Sequence, residues 1–321
     1  MNRTHTAARN ETLGLWLGLL GVFCFALTLP ATRLATGSES APALSPWFVT
    51  FGRAALAGGL SVIFLLATRS PLPRRAQLKP LTLALLGNAL GYPLFLSYAL
   101  RSVNASHAAV ITALLPLATA AVAAWVLHQR ARLGFWLCAV LGSALVGVFS
   151  LLRAYTQSTG HGGHFSFAWA DLLLIGAVMA GAMGYVYGAQ VTPALGAERV
   201  ICWVCVLALP LTLPGTLLLW PAQPVPAPAW GGFIYTGVVS MWAGFFAWYR
   251  GMAIGGALRV SQTQLLQPFI SIVAAALLLG ESLEPLTLIF AAAVVSTVIA
   301  GKKYVMPAAP KPRVPSPQET P

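Results

Sequence analysis

Residues 104–130 read NASHAAVITALLPLATAAVAAWVLHQR, and residues 256–282 read GALRVSQTQLLQPFISIVAAALLLGES. When the two stretches are aligned, Leu114 falls on Leu266 and Pro116 falls on Pro268. A proline inside an apolar helix removes a backbone hydrogen bond and bends the helix. Two prolines at the same depth of two similar segments therefore indicate an internal repeat.

The composition around this repeat excludes a water-soluble globular protein. Of the 321 residues, 58% are hydrophobic and 8% are charged, whereas soluble domains carry about 25% charged residues. The net charge is +12, but the basic residues lie between apolar runs. We therefore interpret them as determinants of membrane orientation and expect no nucleic-acid partner.

Apolar runs long enough to cross a bilayer number ten. We therefore predict an all-α integral membrane protein with ten transmembrane helices. The predicted spans are residues 13–32, 44–67, 80–100, 105–127, 133–152, 169–191, 200–220, 230–249, 260–280 and 285–300.

Lysine and arginine predict the orientation of these spans, since short cytoplasmic loops carry the positive excess. With the N-terminus inside, fifteen of the nineteen basic residues fall on the cytoplasmic side. An even number of spans then returns the C-terminus to the same side. Both termini are thus predicted to be cytoplasmic.

Five spans before and five after the middle loop make the second half an inverted copy of the first. We expect a cytoplasmic tail at 1–12, a first repeat at 13–152, an extracytoplasmic loop at 153–168, a second repeat at 169–303 and a disordered proline-rich tail at 304–321. Inverted repeats are typical of secondary transporters, whose substrate sites lie near the midplane between the halves.

The sequence also resembles a known family. The two five-helix halves, Phe51-Gly52-Arg53, Leu114-Leu115-Pro116, Gln267-Pro268 and Gly280-Glu281 are similar to the EamA family of the drug/metabolite transporter superfamily. The resemblance implies helices one to four and six to nine around a central cavity in a bacterial cytoplasmic membrane. It also implies export or exchange of small metabolites such as amino acids. One departure is His128-Gln129-Arg130, since family members often have glutamate at the position of Gln129.

Polar residues inside apolar spans are the best candidates for a substrate site, because they are costly in lipid. Arg53 lies deep in helix two and could bind a carboxylate or phosphate, or else cap carbonyl groups of neighbouring helices. Gln264, Gln267 and Ser271 share one face of helix nine. They could bind a solute or form hydrogen bonds between helices.

A second set of cavity candidates consists of aromatic residues with a polar edge and one amide. For these side chains, cavity lining and ordinary helix packing both remain open. They are Asn88, Tyr92, Tyr185, Tyr187 and Trp242.

Two further pairs have other predicted roles. Pro116 and Pro268 are expected to act as hinges. His107 and Glu281 are candidates for proton-linked groups, although we expect His107 to be a solvated residue at a helix end. Asp171 is expected to be a favourable anion at the start of helix six.

The predicted function is alternating-access transport of a small metabolite or amphipathic solute, with no cofactor, no metal and no enzymatic activity. The predicted partners are the solute and the lipid bilayer, and a homodimer remains open. A non-transporting sensor or scaffold with the same fold is the main alternative. An intramembrane enzyme is less well supported, because no H-E-x-x-H or G-x-S-x-G motif is present.

Overall fold

A computed structural model describes residues 2–126, 133–158, 169–255 and 261–302. Over these ranges the chain forms helices and no strands. In chain order the helices are α1 (Asn2–Ala26 and Thr28–Thr36), α2 (Pro46–Ala67), α3 (Arg75–Ala84, the π-helical turn Leu85–Gly91 and Tyr92–Ser102), α4 (Ala105–Thr112 and Leu115–Val126), α5 (Leu133–Ser158), α6 (Trp169–Leu195), α7 (Ala197–Leu218), α8 (Ala227–Ile234, the π-helical turn Tyr235–Ala243 and Gly244–Gly255), α9 (the 3-10 helix Ser261–Leu266, then Gln267–Leu279) and α10 (Pro285–Lys302).

Within the described ranges, six helices are long and apolar enough to cross a membrane, and three shorter ones are also apolar. Large apolar side chains such as Trp16, Ile63 and Leu66 are exposed on the outside of the bundle. This pattern is that of a multi-pass helical membrane protein. The count of ten spans and the cytoplasmic position of both termini stay predictions.

Helix boundaries differ modestly from the predicted spans. Ser45 accepts a hydrogen bond from the Phe48 amide, and Pro46 takes the first position, so α2 begins where capping chemistry favours it. Helix α1 begins at Asn2, ahead of the predicted span, and α5 continues to Ser158, beyond the predicted end at Leu152. The segment His128-Gln129-Arg130 lies outside the described residues.

The pattern of contacts between helices is preserved when the helices of one half are swapped for those of the other. The strongest contacts pair α1 with α8, α3 with α6, α2 with α7, α4 with α6, α1 with α9 and α5 with α10. If helices one to five are exchanged for helices six to ten, the α1–α8 and α3–α6 pairs convert into each other, and so do the α4–α6 and α1–α9 pairs. The α2–α7 and α5–α10 pairs map onto themselves. Two structurally equivalent halves would produce this pattern, while their inverted orientation stays a prediction.

The same equivalence is visible in the backbone. A π-helical turn begins at Leu85 in α3 and another at Tyr235 in its counterpart α8. Such turns often occur at functional sites in helices. Helices α1, α4 and α9 are also interrupted, at Leu27, at Ala113 and Leu114, and at the change from 3-10 to α-helix after Leu266. These irregular segments position the candidate site.

Candidate functional site

A proline explains the interruption of α1. Pro30 has no backbone N–H, so the carbonyl of Ala26 lacks its usual helical donor. The Ser271 hydroxyl of α9 donates a hydrogen bond of 2.8 Å to this carbonyl instead. Ser271 is 1% exposed, so this bond links the two halves in the interior. It also gives Ser271 a role in helix packing, one of the two roles left open above.

The interruptions of α4 and α9 face each other across a small cavity. Pro116 and Pro268 leave the carbonyls of Thr112 and Gln264 without their usual helical donors. The cavity is lined by Ala109, Thr112, Ala113, Leu115, Pro116, Gln264, Leu265, Gln267, Pro268, Ser271 and Val295. The structure therefore brings the three polar candidates of α9 together with both predicted hinge prolines.

The volume of this cavity determines what it can hold as it stands. It offers about 20 Å³, enough for a single water molecule. A metabolite would need at least about 300 Å³. Binding of a metabolite here requires α4 and α9 to move apart.

Arg53 occupies a second polar position, between α2 and α8. Its side chain is 3% exposed, and Nη2 donates to the Ser240 hydroxyl at 3.3 Å and lies 3.9 Å from the Met241 sulfur. Nε and Nη1 have no hydrogen-bond partner. Arg53 therefore does not cap carbonyl groups of neighbouring helices, which was one of the two predicted alternatives.

Ser240 connects Arg53 to the interruption of α1. The hydroxyls of Ser240 and Thr28 lie 2.7 Å apart. Thr28 follows directly after the interruption at Leu27, and Ala26 on its other side accepts the bond from Ser271. Arg53 and the α4–α9 cavity are thus joined by polar contacts through two residues of α1.

Some of the aromatic candidates lie near Arg53, and others pack against apolar side chains of neighbouring residues. Tyr92 and Tyr185 lie in the neighbourhood of the Arg53 guanidinium. Trp242 packs on Phe246, with ring centroids 4.6 Å apart. Tyr185, Tyr187 and Trp242 all border the same buried apolar cluster.

Asn88 and Tyr92 also fill the space left by glycines of α6. A Cβ atom at Gly184 would lie 2.3 Å from the Asn88 side-chain oxygen, and one at Gly181 would lie 3.0 Å from the Tyr92 ring. Asn88 is 8% exposed, in the π-helical turn of α3. For Asn88 the observed contact is helix packing.

One end of the bundle, here called the Glu281 end, carries the second group of charged residues. Glu281 follows the C-cap Gly280 of α9 and accepts hydrogen bonds from the amides of Ala105 and Ser106, at 2.8 and 2.9 Å, and from the Ser106 hydroxyl. A carboxylate at the first amides of α4 is stabilised by the unpaired N–H groups and the helix dipole. Glu281 therefore caps a helix of the other half.

The expectation that His107 is solvated at a helix end is wrong. His107 is 6% exposed, and its Nε2 lies 2.7 Å from Oδ1 of Asp171, which is 2% exposed. The His107 ring also packs on Phe149 at a centroid distance of 5.0 Å. Burial became possible because Asp171, in the first turn of α6, supplies a polar partner. Asp171 therefore has a second role beyond that of an anion at a helix start, because it is also the polar partner of buried His107.

Three contributors, Pro30, Thr28 and Ser240, were missed from the sequence, and the contact of a fourth, Asp171, was not predicted. Pro30 was visible as a proline inside an apolar run, a signal that also predicted Pro116 and Pro268. Thr28 and Ser240 gave no such signal, because single hydroxyls are common in apolar helices. Asp171 was noticed, but nothing in the sequence indicated its contact with His107.

These features define a class: a multi-pass helical membrane protein with two equivalent halves that meet at interrupted helices. The EamA-like transporter family model matches residues 12–153 and again residues 168–300. The chain belongs to the EamA-like transporter family.

A curated relative and a solved structure agree with this assignment. The chain is 36% identical to the "Uncharacterized transporter YdeK" of Bacillus subtilis (strain 168) over 298 residues, which cover 92% of this chain and 99% of that protein. A solved crystal structure is similar with a TM-score of 0.58 at 20% identity, over 91% of this chain and 96% of the other. At this identity the structural likeness shows the fold alone.

Proposed function

We propose that the protein is a secondary transporter that moves a small metabolite, such as an amino acid or an amphipathic solute, across a bacterial cytoplasmic membrane. Export or exchange is the proposed direction, with both termini in the cytoplasm. Membership of a transporter family supports the class, and the described geometry supports the mechanism. A protein of this kind needs no catalytic step.

The observation that carries the mechanism is the meeting of interrupted helices at the cavity. Interrupted helices at the interface of two repeats are where transporters bind their substrates. The cavity is now too small for a metabolite, while Pro116 and Pro268 border it. We infer that the two halves rock about these prolines and open the cavity to one side of the membrane at a time.

The Glu281 end supports an alternating mechanism. Glu281 holds the start of α4, and Asp171 of α6 holds His107 two residues further along α4. These contacts join α9, α4 and α6 at one end of the bundle and would have to break for the cavity to open there. In the proposed orientation this end faces outward.

Counterflow in proteoliposomes tests the proposal. Vesicles are loaded in turn with pooled amino acids, nucleosides and cationic dyes, and entry of labelled solute is followed with and without a pH gradient. We expect saturable entry for one pool. Gln267→Ala should reduce this entry about tenfold, while Gln190→Ala, at an exposed position of α6, should not.

The same experiment distinguishes transport from the alternative function, a sensor or scaffold. Folded protein that shows no entry from any pool would favour a sensor or scaffold. Equal entry with Gln267→Ala and the native protein would support transport but would contradict a solute site at this cavity.

A further inference from the structure

Arg53 carries a positive charge into the interior without a matching negative group. Among the residues described, the buried Asp, Glu, His, Lys and Arg side chains are Arg53, His107 and Asp171. Asp171 is paired with His107, and Glu281 is bonded to the start of α4. The neighbours bonded to Arg53 are a hydroxyl and a thioether, both uncharged.

Such an arrangement is unfavourable unless a partner arrives. A buried charge that lacks a counterion costs several kcal/mol, and most N–H donors of this guanidinium are unused because Nε and Nη1 are free. In a transporter, an ion pair that is complete only when solute is bound would explain the unused donors. This reasoning rests on the proposed transport function.

The chemistry of the group selects the partner. A guanidinium binds a planar carboxylate through two parallel hydrogen bonds. Arg53 is the one buried Arg or Lys side chain in the described ranges, so it balances a single negative charge. A phosphate dianion would leave one charge unmatched.

We propose that the transported solute carries one carboxylate and that Arg53 binds this carboxylate through two parallel hydrogen bonds, one from a free group, Nε or Nη1, and one from the second N–H of Nη2. The Tyr92 and Tyr185 phenols are the neighbouring polar groups on α3 and α6. The Ser240 hydroxyl accepts a hydrogen bond from the guanidinium and is also hydrogen-bonded to Thr28, next to the interruption of α1. A carboxylate at Arg53 is therefore connected, through Ser240 and Thr28, to the interruption of α1, where the Ala26 carbonyl also accepts a bond from Ser271.

Thermal unfolding in detergent with matched solutes tests this site. The probes are benzoate against benzamide, L-leucine against L-leucinamide, and inorganic phosphate. We expect at least one carboxylate to raise the unfolding midpoint of the native protein by about 3 °C or more, while its amide and phosphate leave the midpoint unchanged.

Variants assign the effect to the guanidinium. Arg53→Met should abolish the shift and should unfold at or above the native midpoint without solute, since the unmatched charge is gone. Arg53→Lys keeps the charge but loses the planar fork, so the apparent affinity should fall about tenfold. Arg250→Met removes an exposed arginine of α8 and should keep the full shift.

Three results would overturn the proposal: no carboxylate shifts the native protein, Arg53→Met keeps the shift, or Arg53→Met unfolds well below the native midpoint without solute. The last result would make Arg53 a structural group. Counterflow separates this failure from failure of the proposed function, because a transporter of uncharged or cationic solutes would still show saturable entry that Arg53→Met leaves intact.

Discussion

His107 and Asp171 form a buried pair, with Nε2 and Oδ1 2.7 Å apart, that joins the first turn of α4 to the first turn of α6. Asp171→Ala leaves the imidazole buried without its partner, so we expect the free energy of unfolding to fall by about 1–3 kcal/mol. Asp171→Asn retains an acceptor oxygen and should cost less. Unfolding in mixed detergent micelles measures both.

A double-mutant cycle isolates the pair. His107→Ala combined with Asp171→Ala should lose less than the sum of the two single variants. Glu198→Ala, in the first turn of α7, serves as the control for a helix-dipole effect and should cost about 0.3–1 kcal/mol. Strict additivity of the two losses would contradict the contact.

Ser271→Ala should destabilise the protein by about 1–3 kcal/mol, because the Ala26 carbonyl then loses the 2.8 Å bond that replaces its helical donor. In a Pro30→Ala background the backbone N–H at position 30 is restored. The same Ser271→Ala change should then cost less than about 0.5 kcal/mol. Unfolding midpoints of the four proteins test this coupling.

Ser296 provides the matched control for Ser271. It is an exposed serine of α10 that bonds the Ala292 carbonyl within its own helix. Ser296→Ala should change stability by no more than about 0.5 kcal/mol. If Ser271→Ala costs the same with and without Pro30, the explanation by a missing donor is wrong.

Pro268→Ala should stiffen α9, since it restores a donor to the Gln264 carbonyl and allows a regular helix. We expect a higher unfolding midpoint and about tenfold slower counterflow, because the bend at the cavity is needed for opening. Pro285→Ala is the control, at the first position of α10, where proline is compatible with a helix. It should leave counterflow unchanged, and a comparable slowing by both changes would argue against a hinge at position 268.

Gly87→Ala should disturb the contact between α3 and α6. A Cβ atom there would lie 2.4 Å from the Ala180 carbonyl oxygen and 2.6 Å from the Gly184 nitrogen, so backbone must move. We expect a loss of about 1–3 kcal/mol. Gly59→Ala, where a Cβ atom would meet nothing within 4 Å, should stabilise α2 by about 0.5–1 kcal/mol. Similar unfolding midpoints for the two variants would contradict the close approach.

Local patterns in the sequence predicted part of this site. Helical periodicity placed Gln264, Gln267 and Ser271 on one face, and the internal repeat aligned Pro116 with Pro268. The structure brings all five residues to one cavity. Helical periodicity reports on residues within one helix, and the internal repeat reports on equivalent positions of two helices.

Contacts between non-equivalent helices could not be predicted in this way. Thr28 and Ser240 are 212 residues apart, and His107 and Asp171 are 64 apart. In a membrane the lipid-facing and protein-facing sides of a helix are both apolar, so hydrophobic patterning does not reveal which faces meet. The π-helical turns at Leu85 and Tyr235 had no marker in the sequence.

The carboxylate of Glu281 has a consequence for biosynthesis. The ribosome completes α4 long before it reaches Glu281, which lies 176 residues beyond Ala105. Until then, the first amides of α4 have no carboxylate to bind. The start of α4 in the nascent chain can therefore reach its final packing only after the second half has been synthesised. A fragment truncated before Glu281 should remain a substrate for membrane quality-control proteases.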